Sequence, residues 1–172
     1  MNLLDYLPGV PDFPKPGILF RDISPLLANP KAFQYAVQAM SDVAKAFEFT
    51  HILGIESRGF IFGTALALSD STPLILARKP NKLPTETLKE SYGLEYGSDS
   101  LEIQLSIIPK NSRVLLVDDV LASGGTFIAA SKLIQKAGSS VAGALALLEL
   151  EDLGGAEKLH QQGIGFKSVL SI

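Results

Sequence analysis

Residues 114–126 read VLLVDDVLASGGT. Val114–Val117 is an unbroken apolar run of the length and branching expected for a buried strand. Two adjacent aspartates, Asp118 and Asp119, follow it. After three more residues the chain gives up bulky side chains altogether, at Ser123-Gly124-Gly125-Thr126. From Phe127 to Ala137 the apolar residues suit a helix, with Gly138 placed as its C-terminal cap. The stretch therefore reads as strand, turn and helix.

That turn has the chemistry of an anion site. Glycines let the backbone bend and let a ligand approach it. Turn amides and a helix N-terminus together present N–H groups and a positive dipole end. Ser123 and Thr126 add hydroxyl donors, so a phosphate fits. The aspartates would repel a phosphate, but a carboxylate accepts two hydrogen bonds from a vicinal diol. A ribose 5-phosphate offers both groups. The plain alternative is a solvated turn with surface charge. Two other phosphate motifs fit poorly: the nucleotide P-loop wants a lysine where Gly125 stands, and the dinucleotide fingerprint wants G-x-G-x-x-G where only a Gly-Gly pair is present.

Outward from this stretch the elements alternate. Half of the ten prolines precede residue 30, and residues 1–30 read as an irregular lead-in. Asn29-Pro30 marks a helix start, and Phe33, Val37, Met40, Val43, Ala44 and Phe47 give it one apolar face. His51–Glu56 reads as a strand, Gly59–Leu68 as a buried helix, and Pro73–Ala77 as a strand. Residues 79–92, KPNKLPTETLKESY, form a long polar segment suited to a binding loop. Leu94–Ile108 contains one or two strands. Strands at Arg113–Val117, Val141–Leu148 and Phe166–Ser171, with a short helix at Glu157–Gln162, complete an α/β domain with a largely parallel sheet. Ligands of such sheets sit beyond the carboxyl ends of the strands, which is where the opening stretch leads.

The totals exclude several classes. At 172 residues, with 47% hydrophobic and 19% charged residues, the chain suits one domain with an ample core. A net charge of −3 argues against a long nucleic-acid partner. There is no cysteine, which removes disulfides and thiolate metal sites and fits a reducing compartment. The N-terminus MNLLDYLPG lacks the features of a signal peptide, and the apolar run at 141–148 is too short to span a bilayer. A cytoplasmic protein without a membrane segment is expected. His51 and His160 have no spacing that would make them a metal pair.

VLLVDDVLASGGT resembles the phosphoribosyl-pyrophosphate (PRPP) signature of the type I phosphoribosyltransferases. DFPKPGILFRDISPLL at 12–27, GIESRGFIFG at 54–63, ARKPNKLP at 77–84 and EYG at 95–97 resemble the adenine phosphoribosyltransferase branch of that family. The likeness runs in order from about residue 5 to 150; Ser123 stands where a threonine is common, and the tail after 150 carries little signal.

The resemblance implies a type I phosphoribosyltransferase fold over residues 1–172: a mostly parallel sheet flanked by helices, a small N-terminal hood-like segment within 1–30 contributing to the base site, and a flexible loop at 79–96. It implies transfer of the 5-phosphoribosyl group from PRPP to N9 of adenine, giving AMP and pyrophosphate, with Mg²⁺ carried mainly by PRPP, in a homodimer. By the same pattern Ala122, Ser123, Gly124, Gly125 and Thr126 cradle the 5-phosphate, and Asp118 and Asp119 hold the ribose hydroxyls. Ser57, Arg58, Arg78, Lys79 and Lys82 serve the pyrophosphate, with a cis peptide at Glu56-Ser57. Leu19, Phe20 and Arg21 lie by the adenine, Glu95 contacts N7 as the catalytic acid–base group, and Tyr96 helps close the loop. Two alternatives stand beside this: the same transfer to xanthine or hypoxanthine, and a PRPP-sensing relative without catalysis.

Overall fold

A computed structural model describes residues 1–94 and 97–172 of the chain, which group into two compact units, Met1–Ala39 and Met40–Ile172. In the first unit a 3₁₀ turn at Leu3–Tyr6 precedes a small antiparallel hairpin of β1 (Gly9–Pro11) and β2 (Leu19–Arg21). The short helix α1 (Ser24–Ala28) and the longer α2 (Pro30–Ala44) follow. The segment expected to be irregular is thus partly ordered: Leu3, Leu7, Ile23 and Leu26 are all buried. Their spacing matched no single period because each belongs to a different short element. The start of α2 is as expected. Asn29 Oδ1 accepts from the amides of Lys31 at 3.1 Å and Ala32 at 3.0 Å, satisfying two of the donors that a helix leaves without intrahelical partners.

The second unit is built on β3 (His51–Ile55), α3 (Gly59–Ser69), β4 (Leu74–Ala77), β5 (Thr87–Leu94), β6 (Gly97–Gln104), β7 (Arg113–Leu121), α4 (Gly125–Lys136), β8 (Ser140–Glu149), α5 (Gly155–Gln161) and β9 (Phe166–Ser171). Five of these strands form one sheet in the order β4-β3-β7-β8-β9, with every pairing parallel. Ile52, Leu53 and Ile55 of β3 and Val114–Val117 of β7 are fully buried. Such near-continuous apolar runs are what a sheet covered on both faces requires.

The strand order fixes where a ligand sits. From β3 the chain crosses through α3 to β4 on one side, and it later returns to β7 on the other side. Right-handed crossovers in opposite directions put α3 and α4 on opposite faces. Between the carboxyl ends of β3 and β7 they leave a crevice, the switch point at which open α/β sheets bind ligands.

Two boundaries differ from expectation. β7 does not stop at Val117 but continues to Leu121, so both aspartates belong to the strand. The segment 79–96 is not loop throughout, since Thr87–Leu94 pairs along its length with Gly97–Gln104. Leu88 and Tyr92 of β5 pack against the core cluster. Glu90, between them in the two-residue alternation, meets Lys132 Nζ at 3.4 Å and Lys136 Nζ at 2.6 Å on α4. The inward face is thus half apolar and half ionic, which concealed its period in a lysine- and glutamate-rich stretch. Among the described residues, no helix is long and apolar enough to cross a membrane.

Candidate active site

The carboxyl ends of β3 and β7 bring the first predicted residues together. After β3 the chain turns through Glu56-Ser57, whose peptide is cis as expected, and Arg58 leads into α3. Gly59, the first residue of α3, rests against β7: a Cβ there would lie 2.7 Å from the Val117 carbonyl oxygen and 2.9 Å from Asp118 Oδ1. Only a residue without a side chain lets the helix start this close to the aspartates.

Asp119 is 3% exposed, and its Oδ2 lies 2.9 Å from Arg58 Nε. No aligned N–H points at that oxygen, so the contact is one of charge. Asp118 Oδ1 accepts from the Asp119 amide at 2.9 Å. Burial pushes the Asp118 carboxyl well above the ordinary carboxylate range, and the neighbouring Asp119 charge adds to the rise. Asp119 is raised by burial too, with Arg58 pulling it back down. Two adjacent carboxyls in low dielectric resist carrying two charges.

From Leu121 the chain passes through Ala122, Ser123 and Gly124 into α4. Gly124 adopts φ +83°, the left-handed region that an L side chain rarely enters, and so turns the strand directly into the helix. Its carbonyl accepts from the Ile128 amide at 3.0 Å. No side chain caps this N-terminus, in contrast to Asn29 on α2. The leading amides of α4, from Gly125, Thr126 and Phe127, precede the first intrahelical acceptor and lie at the positive end of the helix dipole, where an anion is stabilised. The five residues predicted to cradle phosphate therefore form one continuous turn immediately beyond the aspartates.

The predicted cations at 78–82 are less uniform. Arg78 Nε donates to Glu56 Oε2 at 3.3 Å, its Nη1 donates to the Lys82 carbonyl at 3.2 Å, and its guanidinium lies 5.8 Å from the Phe60 ring centroid. The Lys79 amide also donates to Glu56 Oε2, at 2.8 Å. Glu56 thus ties the 78–79 backbone to the Ser57-Arg58 turn. The Lys79 ammonium pairs with Asp99 and donates to the Tyr92 hydroxyl at 2.8 Å. Burial pulls its pKa down, but Asp99 and Tyr92 more than reverse this and hold it raised. Lys82 is exposed.

Leu19, Phe20 and Arg21 form β2 of the N-terminal unit. Leu19 is 52% exposed, Phe20 meets Phe13 edge-on at 5.1 Å, and Arg21 Nη1 donates to the Leu7 carbonyl at 3.2 Å. Glu95 and Tyr96 lie outside the described residues.

Several contributors escaped the sequence reading. Glu56, a carboxylate closing an apolar strand, was a visible signal. Tyr92 and Asp99 were not, because their meeting with Lys79 depends on the β5–β6 register, in which the two residues are partners.

Known proteins match this chain along its length. The family model described as a phosphoribosyl transferase domain matches residues 22–163. An adenine phosphoribosyltransferase of Polynucleobacter asymbioticus is 65% identical over 170 residues, 99% of each chain. The crystal structure of adenine phosphoribosyltransferase from Thermoanaerobacter pseudethanolicus superimposes with a TM-score of 0.95 at 40% identity, covering 99% of this chain and 100% of that one. That of the Saccharomyces cerevisiae enzyme, complexed with an imino-altritol bisphosphate and adenine, has a TM-score of 0.90 at 37% identity, covering 98% and 96%.

The raised Asp118 pKa has a consequence for stability. A carboxyl whose pKa rises on folding holds its proton more tightly in the folded state. Its contribution is fully present below the unfolded value of about 4 and is lost as pH rises through the folded pKa. Asp118→Asn keeps the acceptor for the Asp119 amide and removes the charge. It is expected to raise the Tm of the unliganded protein by a few degrees at pH 7.5, with the gain shrinking toward pH 4. Calorimetry across that range checks it; a Tm lowered equally at both ends contradicts it.

Proposed function

The chain belongs to the phosphoribosyl transferase family, among its adenine phosphoribosyltransferases, and we propose that it transfers the 5-phosphoribosyl group of PRPP to N9 of adenine, releasing AMP and pyrophosphate. The observation that carries this reading is the uncapped Ala122–Thr126 turn set beyond a carboxyl pair, Asp119 buried and Asp118 half-buried, at the switch point of the sheet. Phosphate on the turn and ribose hydroxyls on Asp118 and Asp119 would fix both ends of a ribose 5-phosphate. The yeast relative's complex with adenine and a sugar-like bisphosphate supports the same pair of ligands for this chain.

The residues divide the chemistry as follows. The turn amides, Ser123 and Thr126 anchor the 5-phosphate, so binding energy remote from the reacting carbon is available for positioning. Asp118 and Asp119 orient the ribose ring. Arg58, Arg78, Lys79 and Lys82 supply positive charge for the pyrophosphate. The ion pairs to Asp119, Glu56 and Asp99 keep three of these cations ordered beforehand. As the C1–O bond breaks, the ribose becomes cation-like and pyrophosphate leaves with the bonding electrons. N9 of adenine donates its electron pair to C1 and gives up its proton. Glu95 at N7 assists by holding or releasing a proton there, general acid–base help worth typically ~10²–10⁴-fold. Leu19, Phe20 and Arg21 serve the base, with Phe20 as a stacking surface, and Tyr96 helps close the loop so that water is kept from the sugar cation.

Magnesium enters as the PRPP complex, a substrate ion neutralising the pyrophosphate, with Asp118 and Asp119 as the hard oxygen groups suited to it or its water shell. A cytoplasmic setting suits a chain without cysteine.

Incubation with PRPP, Mg²⁺ and each purine in turn is expected to give AMP from adenine at least tenfold faster than any nucleotide from hypoxanthine or xanthine. A reversed order rejects adenine, and PRPP binding without turnover on any purine favours the sensing alternative. Glu95→Gln is expected to lower kcat at least tenfold while the PRPP dissociation constant changes little; an unchanged kcat removes Glu95 from the reaction.

The same resemblance implies a homodimer. Sedimentation velocity is expected to show a species of twice the 18.3 kDa chain mass, and a monomer throughout the micromolar range contradicts it.

A further inference from the structure

We infer that Gly155, in the tail that sequence reading left without a role, is a positioning residue for the phosphate turn; this rests on the assignment of Ala122–Thr126 to the 5-phosphate. The tail is led back to the turn by backbone bonding. The Leu150 amide donates to the Leu121 carbonyl at 2.9 Å, a short 3₁₀ turn covers Glu151–Leu153, and Gly154 at φ +65° reverses the chain into α5. Gly155 then lies directly against the turn. A Cβ on it would overlap the Ala122 carbonyl oxygen and lie 2.9 Å from Leu121 Cγ. The contact is mutual, since a Cβ on Gly124 would lie 3.1 Å from the Gly155 carbonyl oxygen. Two glycines on elements far apart in sequence meet backbone to backbone; the Gly155 side has no room for a methyl group, and the Gly124 side is tight.

Neither side is free to retreat. Leu159 of α5 is fully buried, the Ile164 amide donates to its carbonyl at 3.0 Å, and Gly155 itself is buried. On the other side, β7 is held between β3 and β8. The obstructing Ala122 atom is a backbone oxygen that no rotamer change removes. A methyl group at 155 therefore displaces Ala122–Gly124, and with it the amides that face the phosphate. A shift of about 1 Å in such a group costs on the order of 10²-fold in a positioned reaction. Gly154, by contrast, has nothing within 4 Å of its Cβ position, so its requirement is only for positive φ, which asparagine tolerates.

The test compares Gly155→Ala, Gly154→Asn and the core truncation Ile134→Ala, the last as a control for lost stability. Ribose 5-phosphate affinity is read by calorimetry, and KM for PRPP and for adenine by steady-state kinetics. Gly155→Ala is expected to weaken ribose 5-phosphate binding and raise KM for PRPP at least tenfold, with KM for adenine changing less than threefold. Gly154→Asn and Ile134→Ala are expected to stay within threefold of wild type for PRPP. Wild-type-like PRPP affinity in folded Gly155→Ala, or an equal loss in Ile134→Ala, overturns the inference. Failure of the wild-type protein to bind ribose 5-phosphate or PRPP overturns the phosphate assignment itself. Should Gly155→Ala not fold, amide exchange on the wild-type chain gives the same answer. Saturating ribose 5-phosphate is expected to slow exchange at Gly154–Ala156 together with Ser123–Thr126, and slowing confined to Ser123–Thr126 contradicts the coupling.

Discussion

Desolvation of two adjacent carboxyls at the carboxyl end of β7, Asp119 buried and Asp118 half-buried, is the constraint around which the rest of this site is arranged. Desolvating an unpaired charge is costly, and two neighbouring ones more so. The fold meets that cost locally. Arg58 arrives from the end of the adjacent strand and sets its guanidinium beside Asp119, the Asp119 amide donates to Asp118, and Gly59 lets α3 begin close enough for both. The parallel pairing of β3 with β7 is what makes this meeting possible. Without it the ESRG segment and the DD pair would be two unrelated polar interruptions in apolar sequence.

The same economy extends outward. Glu56 holds Arg78 and the Lys79 amide, Asp99 holds the Lys79 ammonium, and Glu90 is held by two lysines of α4. Each carboxylate joins a segment to its neighbour across the carboxyl face of the sheet or along α4. Cations proposed to meet pyrophosphate are thus kept in place by carboxylates in the unliganded chain. Substrate would then exchange one anionic partner for another rather than order free side chains, which reduces the entropy cost of binding. The turn proposed to receive phosphate follows a different logic. Its amides are fixed by Gly124 and backed by Gly155, so its geometry depends on packing and not on charge.

Much of this was legible in the sequence because its signals are local. The apolar run before Asp118, the small residues after it and the asparagine-proline start of α2 each specify their own conformation. The limit of β7 was misread because charge usually ends a strand, whereas here the neighbouring strands and Arg58 accommodate it. β5 was hidden because an ionic contact with α4 stands where an apolar residue would have revealed the alternation. Gly155 could not have been found from sequence at all: its proposed role depends on a backbone contact across more than thirty residues, and a Gly-Gly pair in a tail reads as a turn. The roles of Glu95 and Tyr96 rest on resemblance and the chemistry of the purine.

The turn after β7 is proposed to receive a sugar phosphate on its backbone amides. Titration of the ¹⁵N-labelled protein with ribose 5-phosphate, followed by amide NMR, tests this. Saturable shifts are expected to be largest at Gly124, Gly125, Thr126 and Phe127, with weaker changes at Asp118 and Asp119, and with a stronger response than to ribose at equal concentration. Shifts that leave these amides unmoved while others saturate, or an equal response to ribose without phosphate, would contradict it.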